Sequence, residues 1–348
     1  MPTIGVCRSL HVYTDYDDWS RFLRALGCRI HLSAPTSRSD LEAGIRVAPA
    51  EVCLPVKAFL GQLATLVTEV DFVLIPRVVC RMVAGRPFFG CPKSQALPDL
   101  VRALFPRFDK WLELLIDERA YTTQESFVMM ARSLSCSRAE ALHAWLSCQG
   151  LAAVPGSCTE QLWHLWGMAK KTGFCRGTGH LRFVPDGVKS QGPVVGVVAH
   201  PYLLFDRLLS LDLLQLLKGL GATVFLPEYD RQPRSDSVIS RELKVVAAMT
   251  VVDTYPNWLY ELSLLTAACR FIRDPVVDGL LLVSSFACGT AAVMNEIIRR
   301  NAARVRSIPI LIVLLDEHTN AAGLATRLES FVDILRRRDG RVFRVGYL

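Results

Sequence analysis

No Cys-x-x-Cys pair occurs anywhere in the 348 residues, although the chain holds eleven cysteines. That absence excludes the tight ferredoxin spacing and weakens a zinc-ribbon reading. No Walker-type Gly-Lys-Ser/Thr is present, and Gly177-Thr178-Gly179 supplies too few glycines for a phosphate loop, so the sequence makes no case for ATP hydrolysis. Met1-Pro2-Thr3-Ile4-Gly5-Val6 is not a basic n-region leading into an apolar stretch and a cleavage site. The uncharged run Gly279 to Asn295 is short for a bilayer and contains Ser284, Ser285, Cys288 and Thr290. The expectation is a cytoplasmic protein with no membrane partner. Basic stretches interleaved with aromatics are also missing. The formal charge of +7 is scattered, with short clusters at Arg299-Arg300 and Arg336-Arg337-Arg338, which argues against nucleic acid as a partner.

What is present is a weak internal repeat. Ile4-Gly5-Val6 reads as a strand, Trp19 to Leu26 as an amphipathic helix, and Leu26-Gly27-Cys28-Arg29-Ile30-His31-Leu32 as a helix stop followed by a strand. Val195-Gly196-Val197, Leu208 to Leu217 and Leu220-Gly221-Ala222-Thr223-Val224-Phe225-Leu226 repeat the series. Val70 to Pro76 and Val277 to Val283 form a further matching pair, each a continuous apolar run of the kind a doubly covered parallel strand shows. The pattern predicts an α/β protein of two Rossmann-like lobes with mostly parallel sheets, over residues 1–105 and 190–348. Residues 106–189 read as an inserted helical segment and linker. Trp111-Leu112-Glu113-Leu114-Leu115 and Ala139 to Trp145 have helical spacing, and Pro185-Asp186-Gly187 and Gln191-Gly192-Pro193 punctuate the exit.

Three cysteines share a context. Pro55 lies two residues after Cys53, Pro92 follows Cys91, and Cys288-Gly289-Thr290 opens an apolar helix, so each cysteine stands where a helix is predicted to begin. Unpaired backbone N–H groups and the helix dipole stabilise a thiolate there, which points to a bound metal or iron–sulfur cluster. Cys91 and Cys288 follow predicted strands, which puts them at the carboxyl edges of their sheets, facing an interlobe cleft. Cys7, Cys28, Cys136, Cys148, Cys158, Cys175 and Cys269 read as small buried hydrophobes, and Cys80 as a strand end without a helix start.

Other polar groups admit two readings. Asp316-Glu317-His318-Thr319 follows the strand Ile310 to Leu315 and precedes the helix Leu324 to Leu335, so Glu317 and His318 are catalytic candidates. The alternative is a helix cap by Thr319 or Asn320. His200 in the first crossover of the second lobe is ambiguous in the same way. Lys57 and Lys93 stand close to Cys53 and Cys91 for an anionic ligand, the ordinary alternative being solvated surface lysines.

These segments carry a resemblance. Cys53-Leu54-Pro55-Val56-Lys57, Cys91-Pro92-Lys93 with Leu97-Pro98-Asp99, Ser284 to Gly289, and Asp316 to Thr319 with Ala322 to Leu324 and Thr326 to Phe331 together resemble the CoA-substrate-specific enzyme activase-related proteins of the 2-hydroxyacyl-CoA dehydratase group. The resemblance implies that Cys53, Cys91 and Cys288, from two Rossmann-like lobes, hold a four-iron four-sulfur (4Fe-4S) cluster whose fourth iron is open to a substrate. It further implies a dehydratase-like or reductase subunit that accepts an electron from an ATP-driven activase for chemistry on a small substrate such as an acyl-CoA. A non-catalytic subunit or scaffold paired with a dehydratase-type partner, or a structural zinc protein, are the alternatives. True activases carry an actin-like ATPase domain that is not in this sequence.

Overall fold

In the computed structural model, which describes residues 1–83, 85–149, 174–176, 181–183, 192–227 and 257–338, the chain divides into two units. The first takes described residues 1–149 and 257–262, and the second takes the others. In the first unit the elements are β1 (Thr3–Val6), α1 (Val12–Ala25), β2 (Arg29–Leu32), α2 (Arg38–Val47), α3 (Leu54–Leu66), β3 (Phe72–Val83), β4 (Arg86–Phe89), α4 (Pro92–Gln95), α5 (Leu97–Leu104), β5 (Trp111–Asp117), α6 (Thr123–Arg132) and α7 (Arg138–Gln149). The second contains β6 (Phe174–Arg176), β7 (Leu181–Phe183), β8 (Val194–Ala199), α8 (Pro201–Leu204), α9 (Leu213–Gly219), β9 (Thr223–Leu226), most of α10 (Leu259–Arg273), β10 (Gly279–Ser285), α11 (Gly289–Val305), β11 (Ile310–Leu315) and α12 (Ala321–Arg338).

The duplication is written into the hydrogen bonds. Strands β2, β1, β3 and β5 pair in parallel in that order, and β9, β8, β10 and β11 do the same. Ile4 faces Ile30 and Gly5 faces His31 in one sheet, as Val195 faces Val224 and Gly196 faces Phe225 in the other. The Thr3 N–H donates to the Asp71 carboxylate at 2.7 Å, and the Val194 N–H donates to Asp278 at 2.7 Å. Arg29 N–H reaches Pro2 O and Thr223 N–H reaches Pro193 O, both at 3.0 Å. A Cβ on Gly5 would lie 2.8 Å from Leu66, and one on Gly196 2.8 Å from Phe271, so each central strand lets the helix that covers it approach closely. These are two α/β units with mostly parallel sheets; β4, β6 and β7 pair antiparallel.

The middle of the chain departs from the expectation. Trp111–Asp117, read as part of a helical layer, is strand β5 beside β3. Its apolar residues fit either period, but Leu112, Leu114 and Ile116 are buried alternately with half-buried Glu113 and Leu115, which is the two-residue repeat of a strand. The helix expected at Ala139 to Trp145 is α7, and it packs with α1 and α6 through Phe22, Phe127 and Trp145. Residues 150–173, Gly177-Thr178-Gly179 and Pro185-Asp186-Gly187 lie outside the described residues. On the other face of the first sheet, Phe59, Leu60 and Leu63 of α3 and Leu97 and Val101 of α5 pack on Val73 and Ile75.

Arg77 fastens α4 and α5 to the sheet. It donates to Asp99 at 2.7 and 2.8 Å, to Glu113 at 2.6 Å and to Gln95 O at 2.7 Å. Hydrogen bonds from Arg77 hold the Asp99 carboxyl below its usual range; burial raises that of Glu113, but bonds from Arg77 and Arg102 outweigh it. Arg77→Met is expected to cost about 2 kcal/mol at pH 7, the scale of hydrogen bonds to charged groups. Both carboxyls are depressed in the fold, so their stabilisation is present above the unfolded values of about 4 and is lost as pH falls through the folded ones. Urea midpoints of parent and variant should therefore differ clearly at pH 7 and converge toward pH 3.

Candidate functional site

Three chain segments meet at the carboxyl edge of the first sheet. After β1 the chain turns through Cys7 to His11, with Leu10 at φ 51°, a left-handed conformation that is strained for a leucine, and His11 stands at the N-cap position of α1. Cys53 is the N-cap of α3 and Cys91 the N-cap of α4, each in extended backbone with a proline in the first turn. The Ser9 hydroxyl donates to Pro55 O at 3.2 Å, Lys93 Nζ donates to Glu51 O at 2.5 Å, and His11 Nε2 shares a hydrogen bond with Ser94 Oγ at 2.5 Å. The turns carrying Cys53 and Cys91 are thereby joined to each other and to the end of β1. Cys91 arrives there by an unforeseen route: β3 runs on to Val83, and β4 returns antiparallel along it.

Of the three helix-start cysteines, Cys53 is buried. Cys91 is half-buried and its Sγ accepts the Ser94 N–H at 3.4 Å. Cys288 is the N-cap of α11, also half-buried, with Thr290 Oγ1 at 3.6 Å from its Sγ. Burial instead pushes up the thiols of Cys7, Cys28, Cys80, Cys136 and Cys148, and that of Cys269 up to about 12, which keeps them protonated. Cys80, expected at a strand end, lies inside β3 and is fully buried. Cys158 lies outside the described residues, and Cys175 is described only as backbone in β6.

A buried polar cluster adjoins Cys91, and it was not foreseen. His11 Nδ1 shares a hydrogen bond with the Tyr260 hydroxyl at 2.6 Å while Nε2 holds Ser94. Burial, with Arg81 adding to it, lowers the His11 pKa to about 4. Arg81 lies 3.6 Å from buried Asp15 and 3.1 Å from Glu118. The repeat held the signal: His200, singled out in the crossover after β8, stands at the N-cap position of α8 as His11 stands at that of α1 after β1. Lys57, whose ordinary reading was a solvated surface lysine, is buried at 6% exposure in the first turn of α3.

In the second unit, Ala287 takes φ 63° immediately before Cys288, a strained conformation at a strand-to-helix turn. Ser284 and Ser285 below it are buried, and Asn295 Nδ2 donates to Ser284 Oγ at 3.1 Å. The Phe286 N–H donates to Leu315 O, so the ends of β10 and β11 are in register. Asp316 is committed to local structure. It accepts from the Thr319 hydroxyl at 2.6 Å and the His318 N–H at 3.0 Å, and the Thr319 bond chiefly lowers its pKa. Asn320 Oδ1 caps α12 by accepting the Gly323 N–H at 2.7 Å. Of the two candidates there, Glu317 is half-buried and His318 exposed.

The three helix-start cysteines divide between the units, Cys53 and Cys91 in the first and Cys288 in the second. Among the described residues, no group of three or more His, Cys, Asp and Glu is arranged to hold a metal ion. Among the same residues, no helix is long and apolar enough to cross a membrane.

A family model described as CoA enzyme activase uncharacterised domain (DUF2229) matches residues 3–229, which is well over half of the chain. The chain belongs to this family. The activase-related resemblance carried by the Cys53 and Cys91 segments is therefore correct at family level, and the match spans the whole thiol edge of the first unit except Tyr260. Cys288 and the Asp316 turn lie beyond the matched residues. No curated protein matches the chain.

Proposed function

We infer that this activase-related chain is an iron–sulfur component of a dehydratase-type system, with Cys53, Cys91 and Cys288 as the thiolate ligands of a 4Fe-4S cluster. The observation that carries this reading is the placement of all three at helix N-caps in extended backbone. The donor chemistry fits a soft metal centre, since Cys91 Sγ already accepts a backbone N–H of the kind that supports a metal-bound sulfur. When bound, such a cluster supplies one-electron reducing power, taken from an ATP-driven activase, for a small substrate such as an acyl-CoA. The chain's own part is to hold the thiolates, to direct N–H groups at sulfur, and to keep the surroundings apolar. Glu317 and His318, one turn beyond the end of β11, are the acid–base candidates.

One observation favours a second reading, an accessory subunit or scaffold without a cluster: the described residues show no assembled metal-holding group. Substitution separates the two. Cys53→Ala, Cys91→Ala and Cys288→Ala, isolated without oxygen, are each expected to lose most of the iron and sulfide of the parent, whereas Cys80→Ser, at a fully buried strand position, should retain both. Absence of iron and sulfide from the parent as from all four variants supports the accessory role. Loss in Cys80→Ser with an intact fold makes Cys80 a ligand and closes the fourth iron position to substrate.

A further inference from the structure

His11 lies between two hydroxyls that belong to different parts of the first unit. Ser94 is in the first turn of α4, three residues after Cys91, and Tyr260 is in the first turn of α10. The imidazole is 6% exposed and Ser94 is 8% exposed, so both hydrogen bonds are made out of water's reach. Breaking one leaves a buried polar atom without a partner. In either neutral tautomer one ring nitrogen donates and the other accepts, so His11 holds both hydroxyls at once.

A serine hydroxyl on a histidine on a second hydroxyl resembles a nucleophile with its base, and the surroundings argue against that use. An imidazolium, which a general base must become, is disfavoured here by burial and by Arg81, and among the described residues no carboxylate hydrogen-bonds the ring to offset them. What the bridge does is fix α4. That helix has four residues, too few to hold itself. Among its attachments are Arg77 on Gln95 O, Lys93 on Glu51 O, Gln95 Nε2 on Gly90 O, and His11 on Ser94. Of these, only the His11 bond grips the residue whose own N–H points at the Cys91 sulfur.

We propose that His11 is a positioning residue for Cys91: its bridge from Tyr260 to Ser94 holds the Ser94 N–H on the Cys91 sulfur. The consequence for electron transfer rests on Cys91 being a cluster ligand, as inferred above; the positioning itself does not. Where a cluster is bound, an N–H held on a ligand sulfur stabilises its reduced state and raises its potential.

The test uses full-length protein and the variants His11→Phe, His11→Gln and Ser94→Ala. In metal-free protein, amide exchange at Ser94 is expected to quicken at least ~10-fold in His11→Phe and Ser94→Ala, because a local opening is no longer opposed by the buried bond. His11→Gln, which keeps a donor and an acceptor, should restore it to within ~3-fold. Amides in the first turn of α3 should quicken no more than those that exchange through global unfolding, which report any loss of overall stability, and the effect at Ser94 should exceed both. In anaerobically loaded protein, the reduction potential of His11→Phe and Ser94→Ala should move to more negative values, with His11→Gln near the parent. If His11→Phe fails to fold, Ser94→Ala carries the same readouts. Unchanged exchange at Ser94 overturns the proposal, as does faster exchange that His11→Gln does not restore, which reduces His11 to a structural residue; faster and rescued exchange with an unaltered potential counts against Cys91 as a cluster ligand and leaves the positioning standing. Parent protein that takes up no cluster defeats the proposed function instead, and exchange with its glutamine rescue then decides the positioning alone.

Discussion

Gly61→Ala is expected to destabilise the protein by about 3 kcal/mol, the upper range for forcing volume into a closed contact. Helices α2 and α3 cross with their backbones in contact at two glycines. A Cβ on Gly61 would stand 1.7 Å from Asp40 O, and one on Gly44 would stand 1.8 Å from Lys57 O. Neither obstacle is the end of a flexible side chain, so the helices must part. Helix α3 supplies Phe59, Leu60, Leu63 and Leu66 to the core and has Cys53 at its start, so a shift there is felt both in stability and at the thiol edge. Gly44→Ala should behave alike. Gly219 in α9 meets nothing within 4 Å, and Gly219→Ala is the control, expected within about 0.5 kcal/mol of the parent. Urea denaturation of the three variants checks this. A Gly61→Ala midpoint equal to that of Gly219→Ala would show that α2 and α3 do not cross at these glycines.

The second large effect is a loss of stability on mild acidification through His11. Its ring titrates near 6.5 when the chain is unfolded and near 4 in the fold. Between these values the folded state binds fewer protons than the unfolded one, so stability is complete above about pH 6.5 and declines as pH falls toward 4. At 1.36 kcal/mol per pH unit the full decline is about 3 kcal/mol. His11→Gln removes the titrating group and keeps the hydrogen bonding. Parent and variant should therefore show a stability difference that shifts in the variant's favour by about that amount from pH 7 to pH 4. Carboxylates and the other histidines titrate in both proteins and cancel. A difference constant with pH would mean that the ring titrates in the fold as it does in the unfolded chain.

Much of the fold was legible because its two units repeat one local grammar. The glycines Gly27 and Gly221, at φ 79° and 73°, stop a helix before a strand in both, and the strands they precede pair in the same register. Legibility failed where one composition fits two periods. Trp111 to Leu115 carries apolar residues at spacings of both a helix and a strand, and its pairing with β3, where Glu113 meets Arg77, decides between them. Helix α2 went unread, though Ser37 and Asp40 form a capping box at its start, because an aspartate stands where the familiar signature has a glutamate. The helix starts at Cys53, Cys91 and Cys288 were legible from proline and glycine chemistry alone. The cluster around His11 was not, because Ser94 and Tyr260 come to it from 83 and 249 residues away. The matching positions of His11 and His200 in the repeat are the one sequence signal that leads there.

The central claim, that the helix-start cysteines hold an iron–sulfur cluster, is tested most directly by anaerobic purification of the full-length parent followed by iron, zinc and acid-labile sulfide analysis. The account predicts about four iron and four sulfide per chain, with little zinc and a brown colour that bleaches on exposure to air. Stoichiometric zinc without sulfide, or protein free of both metals after reconstitution with iron and sulfide, would contradict it.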